Sequence, residues 1–420
     1  MWWVKMTIGI KKSNIKGEIT APASKSVMIR AIAAAVLSDG VSRVYNPTYC
    51  EDAMAAIRVA ESLGAIITRK EDHLEINGNF GFNQREINCG ESGLTARMFI
   101  PIVSLLSEEI IVTGERGLLQ RPLPGVSNVL RKLGVECEDN DGYLPIKLQG
   151  PLGNGVLQVD GSQSSQFISG LMYALPRCLD DSTLELINPK SMPYIELTIE
   201  ILKDFGIEID EIGINKYLIK GSQKYQAREL EIEGDWSGAA FLLAAGVIAG
   251  EIKVNKLNPE SKQADKKIIE LIEKIGGLFN FENETYHVRK KSMNAFTFDA
   301  EHCPDLIPVA VALAANCNGT SEITGANRLI HKESNRAEAL KSEFSKMGIE
   351  VAIDRNKMKV TAGKIRTAEC DSHSDHRIAM AIAVAALNSE KTIKINGAEC
   401  VAKSYPNFFE DLKKIGAEIV

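Results

Sequence analysis

One phrase recurs six times along the chain, and this repetition restricts the possible folds more than any other feature does. Each copy has a glycine after an apolar stretch and then alternating apolar and polar residues, as in LGAIITRKEDHLEING at 63–78. The glycines follow one another at intervals of 68 to 72 residues and are Gly64, Gly134, Gly206, Gly276, Gly348 and Gly416. A fixed period of this kind indicates a repeated structural unit.

The residues around each glycine predict the local structure of the unit. Before Gly64, the stretch AMAAIRVAESL has apolar residues three and four positions apart, which predicts an amphipathic helix. The glycine then suits the left-handed position that follows a helix end. Two short strands come next, with Asp, Asn and Gly between them, which is the composition of a hairpin. The unit is therefore predicted to be helix, turn and hairpin, with a further strand and helix between copies.

The sixth copy stops at Val420, after its first predicted strand. Near the start of the chain, MTIGIKK and IKGEIT are predicted strands, so the simplest arrangement lets the N-terminus complete copy six. One domain would then hold residues 1–20 and 234–420, with copies four to six. Residues 21–233 would form an inserted domain with copies one to three. The two chain crossings, near Thr20 and Gly234, would make a hinge with a cleft.

The chain length is consistent with this division. At 420 residues the chain exceeds the roughly 250 to 300 residues at which a single core stops growing. A one-dimensional solenoid of six units is the alternative. Solenoid repeats, however, usually run about 20 to 45 residues and open stacks carry distinct capping ends. We therefore expect an α/β (α+β) protein of two similar domains.

Composition excludes several classes of protein. A net charge of −6 disfavours a general nucleic-acid binder. No apolar run approaches the roughly 18 residues of a membrane span, and the first residues lack the layout of a signal peptide, so we expect a cytoplasmic protein. The eight cysteines are dispersed without a C-x-x-C pair, which argues for reduced core thiols rather than disulfides or zinc ligands. We expect no metal ion and no cofactor.

Cations stand at predicted helix starts and in stiff loops although the chain as a whole is acidic. In PASKSVMIR at 22–30, Ser24 can cap a helix that carries Lys25 and Ser26 in its first turn and Arg30 one turn later. Backbone N–H groups and cations at a helix start favour phosphate or carboxylate. Comparable cations are Arg97, Arg121, Lys332, Arg336, Arg377 and Lys403.

Other polar groups accompany these cations. Gly93 precedes Arg97 by four residues, and DGSQSSQF at 160–167 offers hydroxyl and amide donors before an apolar helix. Lys332 and Arg336 are predicted to share one helical face. Each segment alone is also compatible with a capped helix and solvated charge. Together the segments predict a cleft that attracts small phosphorylated anions.

Two carboxylates are candidates for proton transfer. Asp305, in HCPDLIP, precedes a strongly apolar helix, where partial burial is expected to raise its pKa toward useful basicity. Glu333 is the second candidate and stands beside Lys332. The alternative for Asp305 is an ordinary helix cap.

Eight motifs occur in order between about residues 20 and 412: PASKS-x3-R, CG-x-SG-x-T-x-R, QRPL, SSQF, SMPY, HKES-x-R, DHR-x-AM and AKSYPNFF. Together they resemble the 5-enolpyruvylshikimate-3-phosphate synthase family of enolpyruvyl transferases. The resemblance implies transfer of the enolpyruvyl group of phosphoenolpyruvate to the 5-hydroxyl of shikimate 3-phosphate, with release of phosphate, in chorismate and aromatic amino-acid biosynthesis. It also implies two domains, each an inside-out α/β barrel of three βαβαββ units.

The resemblance implies roles for individual residues. Contacts to shikimate 3-phosphate are expected from Lys25, Ser26, Arg30, Ser164, Ser165, Gln166, Ser191, Tyr194 and Lys332. Contacts to phosphoenolpyruvate are expected from Lys25, Gly93, Arg121, Gln166, Arg336, Arg377 and Lys403, and Arg97 and His376 are further candidates for substrate binding. Asp305 would take the proton of the 5-hydroxyl, while Glu333 and Lys25 are both candidates for protonating the methylene carbon.

Two other functions stay open at this stage. One is the related transfer of the enolpyruvyl group to UDP-N-acetylglucosamine, although that enzyme typically has Lys-Asn in place of Lys25-Ser26 and a loop cysteine in place of Arg116. The other is a non-catalytic binding protein built on the same repeat. In each case the expected partners are small molecules rather than nucleic acid or membrane, and we expect a monomer.

Overall fold

A computed structural model describes residues 6–420, and its helices and strands follow the six repeats. The α-helices are α1 (Lys25–Leu37), α2 (Glu51–Ser62), α3 (Gly93–Val103), α4 (Val126–Lys132), α5 (Gln166–Ala174), α6 (Met192–Asp204), α7 (Trp236–Ala249), α8 (Ile268–Lys274), α9 (Ile307–Ala315), α10 (Arg336–Lys346), α11 (His376–Ala386) and α12 (Phe408–Lys414).

The strands of the first three repeats, with the two that lead into them, are β1 (Thr7–Ile10), β2 (Ile15–Thr20), β3 (Ser38–Tyr45), β4 (Ile66–Arg69), β5 (His73–Gly78), β6 (Glu86–Asn88), β7 (Glu109–Thr113), β8 (Glu136–Asn140), β9 (Tyr143–Gln149), β10 (Val156–Asp160), β11 (Ser182–Ile187), β12 (Ile209–Gly213) and β13 (Lys216–Ile219). The remaining strands are β14 (Tyr225–Gln226), β15 (Glu229–Glu231), β16 (Gly250–Asn255), β17 (Leu278–Glu282), β18 (Thr285–Arg289), β19 (Thr297–Asp299), β20 (Thr320–Thr324), β21 (Glu350–Asp354), β22 (Lys357–Thr361), β23 (Ala368–Asp371) and β24 (Ile393–Asn396).

Contacts between residues divide the chain into two compact units. The inserted unit is Ala23–Glu233, and the terminal unit runs to Pro22 and resumes at Gly234. Each unit contains three of the six repeats, and each is described below by itself.

The inserted unit contains three small sheets. Their strand orders are β6-β7-β9-β8, β10-β11-β13-β12 and β14-β3-β5-β4, the last with β15 also on β3. The helices α1, α3 and α5 are buried on almost all sides, whereas α2, α4 and α6 each keep an exposed face. A helix that is apolar all round belongs in a core. Three inner helices therefore fill the space that the sheets enclose.

The terminal unit repeats this plan with other residues. Its sheets have the orders β17-β18-β16-β2, β19-β20-β22-β21 and β1-β24-β23. The inner helices are α7, α9 and α11, which are buried along most of their length and pack on one another. The predicted α/β class with repeated βαβαββ units is thereby confirmed.

The six glycines of the repeat all have left-handed backbone, as predicted. Their φ angles are 92° at Gly64, 83° at Gly134, 81° at Gly206, 80° at Gly276, 84° at Gly348 and 104° at Gly416. Side chains are unfavourable at these angles, so the glycine ends the helix and turns the chain into the hairpin. The repeat of about 70 residues in the sequence therefore corresponds to one such helix-ending turn in each structural unit.

The first of the two N-terminal strands completes copy six, as expected from the truncated repeat, whereas the second, β2, joins the sheet of copy four. Ile10 forms an antiparallel bridge with Ile419. The N–H of Gly9 donates to the carbonyl of Val420 at 2.7 Å, and the N–H of Val420 donates back to Gly9 at 2.9 Å. The strand β1 therefore supplies the missing hairpin partner.

The two segments that connect the units each contain a strand that pairs within the unit it leaves, and the sequence did not predict these pairings. The strand β2 leads into α1 of the inserted unit but pairs in parallel with β16 of the terminal unit's fourth repeat. The strand β15 leads into α7 of the terminal unit but pairs in parallel with β3 of the first repeat. In the terminal unit, the sheet of repeat four is therefore completed by β2, the last strand before the chain enters the inserted unit. In the inserted unit, the sheet of repeat one is completed by β15, the last strand before the chain returns.

The cysteines and the lengths of the helices were also considered in the sequence. All eight cysteines are free and buried, as expected for core thiols. Within residues 6–420, the helices are too short or too polar for a bilayer span.

Candidate active site

Asp305 is held by three cations in the terminal unit. It lies in a short 3-10 turn, Pro304–Leu306, directly before α9. Its Oδ1 is 3.2 Å from Lys332 Nζ and 2.8 Å from Arg336 Nη1. Its Oδ2 is 3.2 Å from Arg377 Nη2, and its backbone carbonyl accepts from Arg377 Nη1 at 2.9 Å. Three cations from two separate motifs therefore meet at one carboxylate.

These cations reverse the expected pKa of Asp305. Burial alone raises the pKa of this carboxyl, but Arg377, Lys332 and Arg336 together outweigh burial and hold it well below the usual range. The expectation of a raised pKa was wrong because it considered the apolar helix and not the surrounding charge. With its cations in place, Asp305 is ionised.

Arg336 is itself surrounded by carboxylates. It is the first residue of α10 and is 1% exposed. Its Nε donates to Asp375 Oδ2 at 2.8 Å, and its Nη2 donates to Glu333. Burial lowers the pKa of this guanidinium, but Asp375, Glu333 and Asp305 outweigh burial and raise it. Arg336 therefore stays charged although it is buried.

Asp375 has two structural roles, of which the sequence predicted one. The sequence SDHR places it just before the apolar stretch IAMAIAVAAL, where an N-cap is expected, and it caps α11, accepting from the N–H of Arg377 at 3.0 Å. Its second role, as the main partner of Arg336, joins residues 39 positions apart. No local pattern indicates such a contact.

The predicted helical face with Lys332 and Arg336 is wrong. Lys332 and Glu333 lie in the turn that precedes α10, because that helix begins only at Arg336. The two cations nevertheless converge on Oδ1 of Asp305. Burial lowers the pKa of Lys332, and the charge of Asp305 opposes this shift.

Lys403 and His376 lie close to the same helix start. Lys403 ends a short 3-10 helix, Ala398–Lys403, and its Nζ donates to the carbonyl of Ser374 at 3.0 Å. His376 is the first residue of α11 and is 1% exposed. The structure thus brings both residues to the loop that carries Asp375.

In the inserted unit, the start of α1 has the predicted form. Ser24 accepts from the N–H of Val27 at 3.4 Å and caps the helix. Lys25 Nζ lies 2.9 Å from Asp52 Oδ2, and both side chains are largely buried. The sequence did not indicate Asp52, which lies in the first turn of α2.

Arg30 is a buried cation among neutral groups. It is 1% exposed, and its Nε donates to Thr198 Oγ1 at 2.9 Å. Its Nη1 donates to the carbonyl of Ser26 at 3.0 Å, and its Nη2 lies 3.4 Å from both Ser169 Oγ and the carbonyl of Tyr194. Burial lowers its pKa. Within residues 6–420, no carboxylate lies within ion-pair distance of Arg30.

Two arginines approach the N-terminus of α3 over Gly93. Ser92 caps this helix, accepting from the N–H of Thr95 at 3.3 Å. A methyl group added at Gly93 would lie 2.5 Å from Arg121 Nη1 and 2.7 Å from Arg97 Nη1. The absence of a side chain at this position is what admits both guanidiniums.

The SSQF segment reaches the same place. Gln166 is the first residue of α5, and its Oε1 accepts from Arg97 Nη1 at 3.4 Å. Ser164 Oγ accepts from the N–H of Gln166 at 3.2 Å, and Ser165 is buried at the helix start. Ser191 directly precedes α6 and has a left-handed φ of 57°, and Tyr194 lies in the first turn of that helix.

Known proteins are similar to this chain over nearly its whole length. A family model described as EPSP synthase (3-phosphoshikimate 1-carboxyvinyltransferase) matches residues 10–412. Two curated relatives carry the name 3-phosphoshikimate 1-carboxyvinyltransferase. The one from Clostridium acetobutylicum is 37% identical over 420 residues, 98% of each chain. The one from Methanosarcina acetivorans is 38% identical over 430 residues, 99% of each chain.

Solved structures share the fold. An EPSP synthase from Acinetobacter baumannii superposes with a TM-score of 0.84 at 24% identity, covering 99% of this chain and 100% of that one. The enolpyruvyl transferase NikO from Streptomyces tendae gives a TM-score of 0.79 at 16% identity, with 99% and 98% covered. At these identities the likeness concerns the fold alone.

Proposed function

The chain belongs to the EPSP synthase (3-phosphoshikimate 1-carboxyvinyltransferase) family, and we propose that it transfers the enolpyruvyl group of phosphoenolpyruvate to the 5-hydroxyl of shikimate 3-phosphate. The observation that carries this proposal is Asp305, an ionised carboxylate held by Lys332, Arg336 and Arg377. The arrangement combines a proton acceptor with cations that bind phosphate and carboxylate.

Substrate binding would activate the base. Arg336, Arg377 and Lys403 are the proposed phosphoenolpyruvate contacts of the terminal unit, together with Gly93, Arg97, Arg121 and Gln166 of the inserted unit. When the substrate's anionic groups engage the two arginines, their attraction for Asp305 weakens and its pKa rises. The base is therefore strengthened only when phosphoenolpyruvate is present, and Asp305 then removes the proton of the 5-hydroxyl.

The reaction proceeds by addition and elimination. The oxygen of the 5-hydroxyl forms a bond to C2 of phosphoenolpyruvate while the methylene carbon C3 receives a proton, from Glu333 or Lys25. The product of this step is a tetrahedral ketal phosphate. Loss of a proton from C3 and cleavage of the C2–O bond to phosphate then give the enol ether and inorganic phosphate. Fixed cations stabilise the developing anions.

The acceptor would be bound mainly by residues of the inserted unit, with Lys332 added from the terminal unit. The inserted-unit residues are Lys25, Ser26, Arg30, Ser164, Ser165, Gln166, Ser191 and Tyr194. Arg30 supports this assignment because a buried guanidinium without a carboxylate partner is stabilised by an anionic ligand. His376, buried at the start of α11, is a further candidate for substrate binding.

The proposal requires the whole chain. Since each unit supplies only part of the set, we infer that residues 21–233 form one domain, residues 1–20 and 234–420 form the other, and neither catalyses alone. We also infer a cytoplasmic monomer, a location consistent with eight reduced cysteines. Light scattering on the purified protein checks the monomer.

Release of inorganic phosphate from phosphoenolpyruvate tests the function directly. We expect release only when shikimate 3-phosphate is also present. UDP-N-acetylglucosamine, the acceptor of the related enzyme, should give no release above background. Equal release with that acceptor, or none with shikimate 3-phosphate, contradicts the proposal.

A further inference from the structure

A second carboxylate, Asp265, lies against Arg377. It belongs to the short 3-10 turn Ala264–Lys267 of the terminal unit and is fully buried. Its Oδ2 is 3.6 Å from Arg377 Nη1 and accepts a short hydrogen bond from the hydroxyl of Ser237, in the first turn of α7. The family motifs quoted above do not include Asp265.

Asp265 is poorly compensated for a buried charge. Its Oδ1 has no hydrogen-bond donor among residues 6–420. Burial raises its pKa to about 7, an effect that Arg377 opposes and the nearby Asp305 and Asp235 reinforce. Cys303 also lies close by. An ionised carboxylate in such a place destabilises the fold, so stability does not explain its presence.

The geometry around Arg377 indicates what Asp265 does. The Nη2 end of the guanidinium faces the carboxylate of Asp305, and the Nη1 end is bound by the backbone carbonyl of Asp305 and faced by Asp265. When an anionic substrate engages Arg377, the contact with the Asp305 carboxylate weakens. Asp265 is the carboxylate that then still faces the Nη1 end of the Arg377 guanidinium.

We propose that Asp265 is a positioning residue that holds the Nη1 end of Arg377, so that the guanidinium keeps its orientation toward phosphoenolpyruvate while Asp305 is released to act as the base. This inference rests on the proposed function, because it assigns Arg377 to that substrate. It extends the site to a residue that touches neither substrate.

Asp265→Asn in the full-length protein tests the inference, because it keeps the side-chain shape and removes the charge. We expect KM for phosphoenolpyruvate to rise by about tenfold or more and kcat to fall, as for a misplaced binding group. KM for shikimate 3-phosphate should stay within about twofold. A purely structural role would instead lower stability and leave the ratio of the two KM values unchanged.

Thermal stability supplies an independent readout. Because the folded-state pKa of Asp265 is raised, the wild-type protein loses this group's contribution as pH rises toward about 7. The Tm of Asp265→Asn should therefore equal or exceed that of wild type, and its advantage should grow between about pH 4 and pH 7 and then level off. Lower Tm with unchanged KM for phosphoenolpyruvate overturns the inference.

Two further variants provide a control and a second test of the inference. Asp139→Asn is the matched control, since Asp139 also accepts from a serine hydroxyl, that of Ser127, away from the proposed site residues. Its kinetic constants should equal those of wild type. Ser237→Ala removes the hydroxyl that donates to Asp265, and it serves as the test if Asp265→Asn does not fold. A several-fold rise in KM for phosphoenolpyruvate in Ser237→Ala supports the inference, and an unchanged KM overturns it.

Arg377→Ala separates this inference from the proposed function. If Arg377→Ala leaves KM for phosphoenolpyruvate unchanged, the assignment of Arg377 fails, and the inference about Asp265 fails with it. If Arg377→Ala raises that KM and Asp265→Asn does not, only the inference fails.

Discussion

The carboxylate of Asp375 accepts two hydrogen bonds from the guanidinium of Arg336, at 2.8 and 3.2 Å. The same carboxylate caps α11, which carries Arg377. One buried acid therefore fixes the beginnings of two helices, α10 and α11, that each present an arginine to Asp305.

Asp375→Asn should both destabilise the protein and reduce its activity. The substitution leaves Arg336 buried without its main counter-ion, and breaking a buried pair in this way costs about 3 to 5 kcal/mol. Urea unfolding measures this loss. As a control, Glu322→Gln removes an exposed ion pair with Lys357 and should change the stability little, because water screens such pairs. Equal losses in the two variants contradict the role of Asp375.

Asp305→Ala should slow turnover by about 10²-fold or more, as for a lost general base, and leave the binding of both substrates nearly intact. Steady-state kinetics and equilibrium binding of each substrate check this. Unchanged turnover would reduce Asp305 to a structural partner of its three cations.

The pH profiles of the wild-type enzyme should differ between the free and the bound state. In the free enzyme the cations hold the pKa of Asp305 well below its usual range, so kcat/KM should show no loss from this residue as pH falls to about 5. In the substrate complex the arginines are neutralised and the pKa rises, so the acid limb of kcat should lie at higher pH. Coincident acid limbs in both profiles contradict this coupling.

Gly93→Ala should weaken phosphoenolpyruvate binding selectively. Its methyl group would lie within 2.7 Å of the guanidiniums of Arg97 and Arg121, which are flexible ends that can shift without unfolding the chain. We expect KM for phosphoenolpyruvate to rise about tenfold, while Tm changes little. Gly81→Ala is the control, because its nearest neighbour would be at an ordinary 3.9 Å. A rise in both KM values would point to a general distortion.

Glu343→Gln should lower stability in a pH-dependent way. Glu343 is fully buried and accepts from Lys346 Nζ, from His373 Nε2 at 2.8 Å and from the N–H of Asp371 at 2.9 Å. Burial raises its pKa, but these bonds outweigh burial and lower it. Its contribution, about 2 kcal/mol for bonds to a charged group, is therefore present at neutral pH and lost as pH falls below about 4.

The measurement for Glu343 is the difference in Tm between wild type and Glu343→Gln as a function of pH. The difference should be largest near pH 7 and should shrink at acidic pH. A difference that does not depend on pH would mean that shape, rather than charge, matters at this position.

The sequence predicted those parts of the fold that depend on local geometry. The left-handed glycines and the amphipathic helices before them follow from residue type and spacing. The pairing of β1 with the last residues followed from counting strands in the sixth copy. The pairing of β2 with β16 and of β15 with β3 could not be predicted in this way, because both β2 and β15 are short strands whose partners lie far away in the chain.

The sequence predicted which residues would take part in the site better than it predicted which of them would contact one another. Predicted site residues such as Asp305, Arg336 and Arg377 meet in space, yet the pKa of Asp305 moves opposite to expectation because cations from distant parts of the sequence add their effects. The contacts of Asp52 with Lys25, of Asp265 with Arg377 and of Asp375 with Arg336 were not predicted either. Their partners come from other helices, which a pattern along the chain does not reveal.

The return of the last residues to β1 has a consequence for the order in which the chain matures. During synthesis, β1 emerges before the inserted unit but acquires its partners only when β24 and Ile419 have been made. The inserted unit, Ala23–Glu233, is complete long before that point. While the rest of the terminal unit is being made, the newly made chain therefore carries a complete inserted unit and an N-terminal strand, β1, that still lacks its partners.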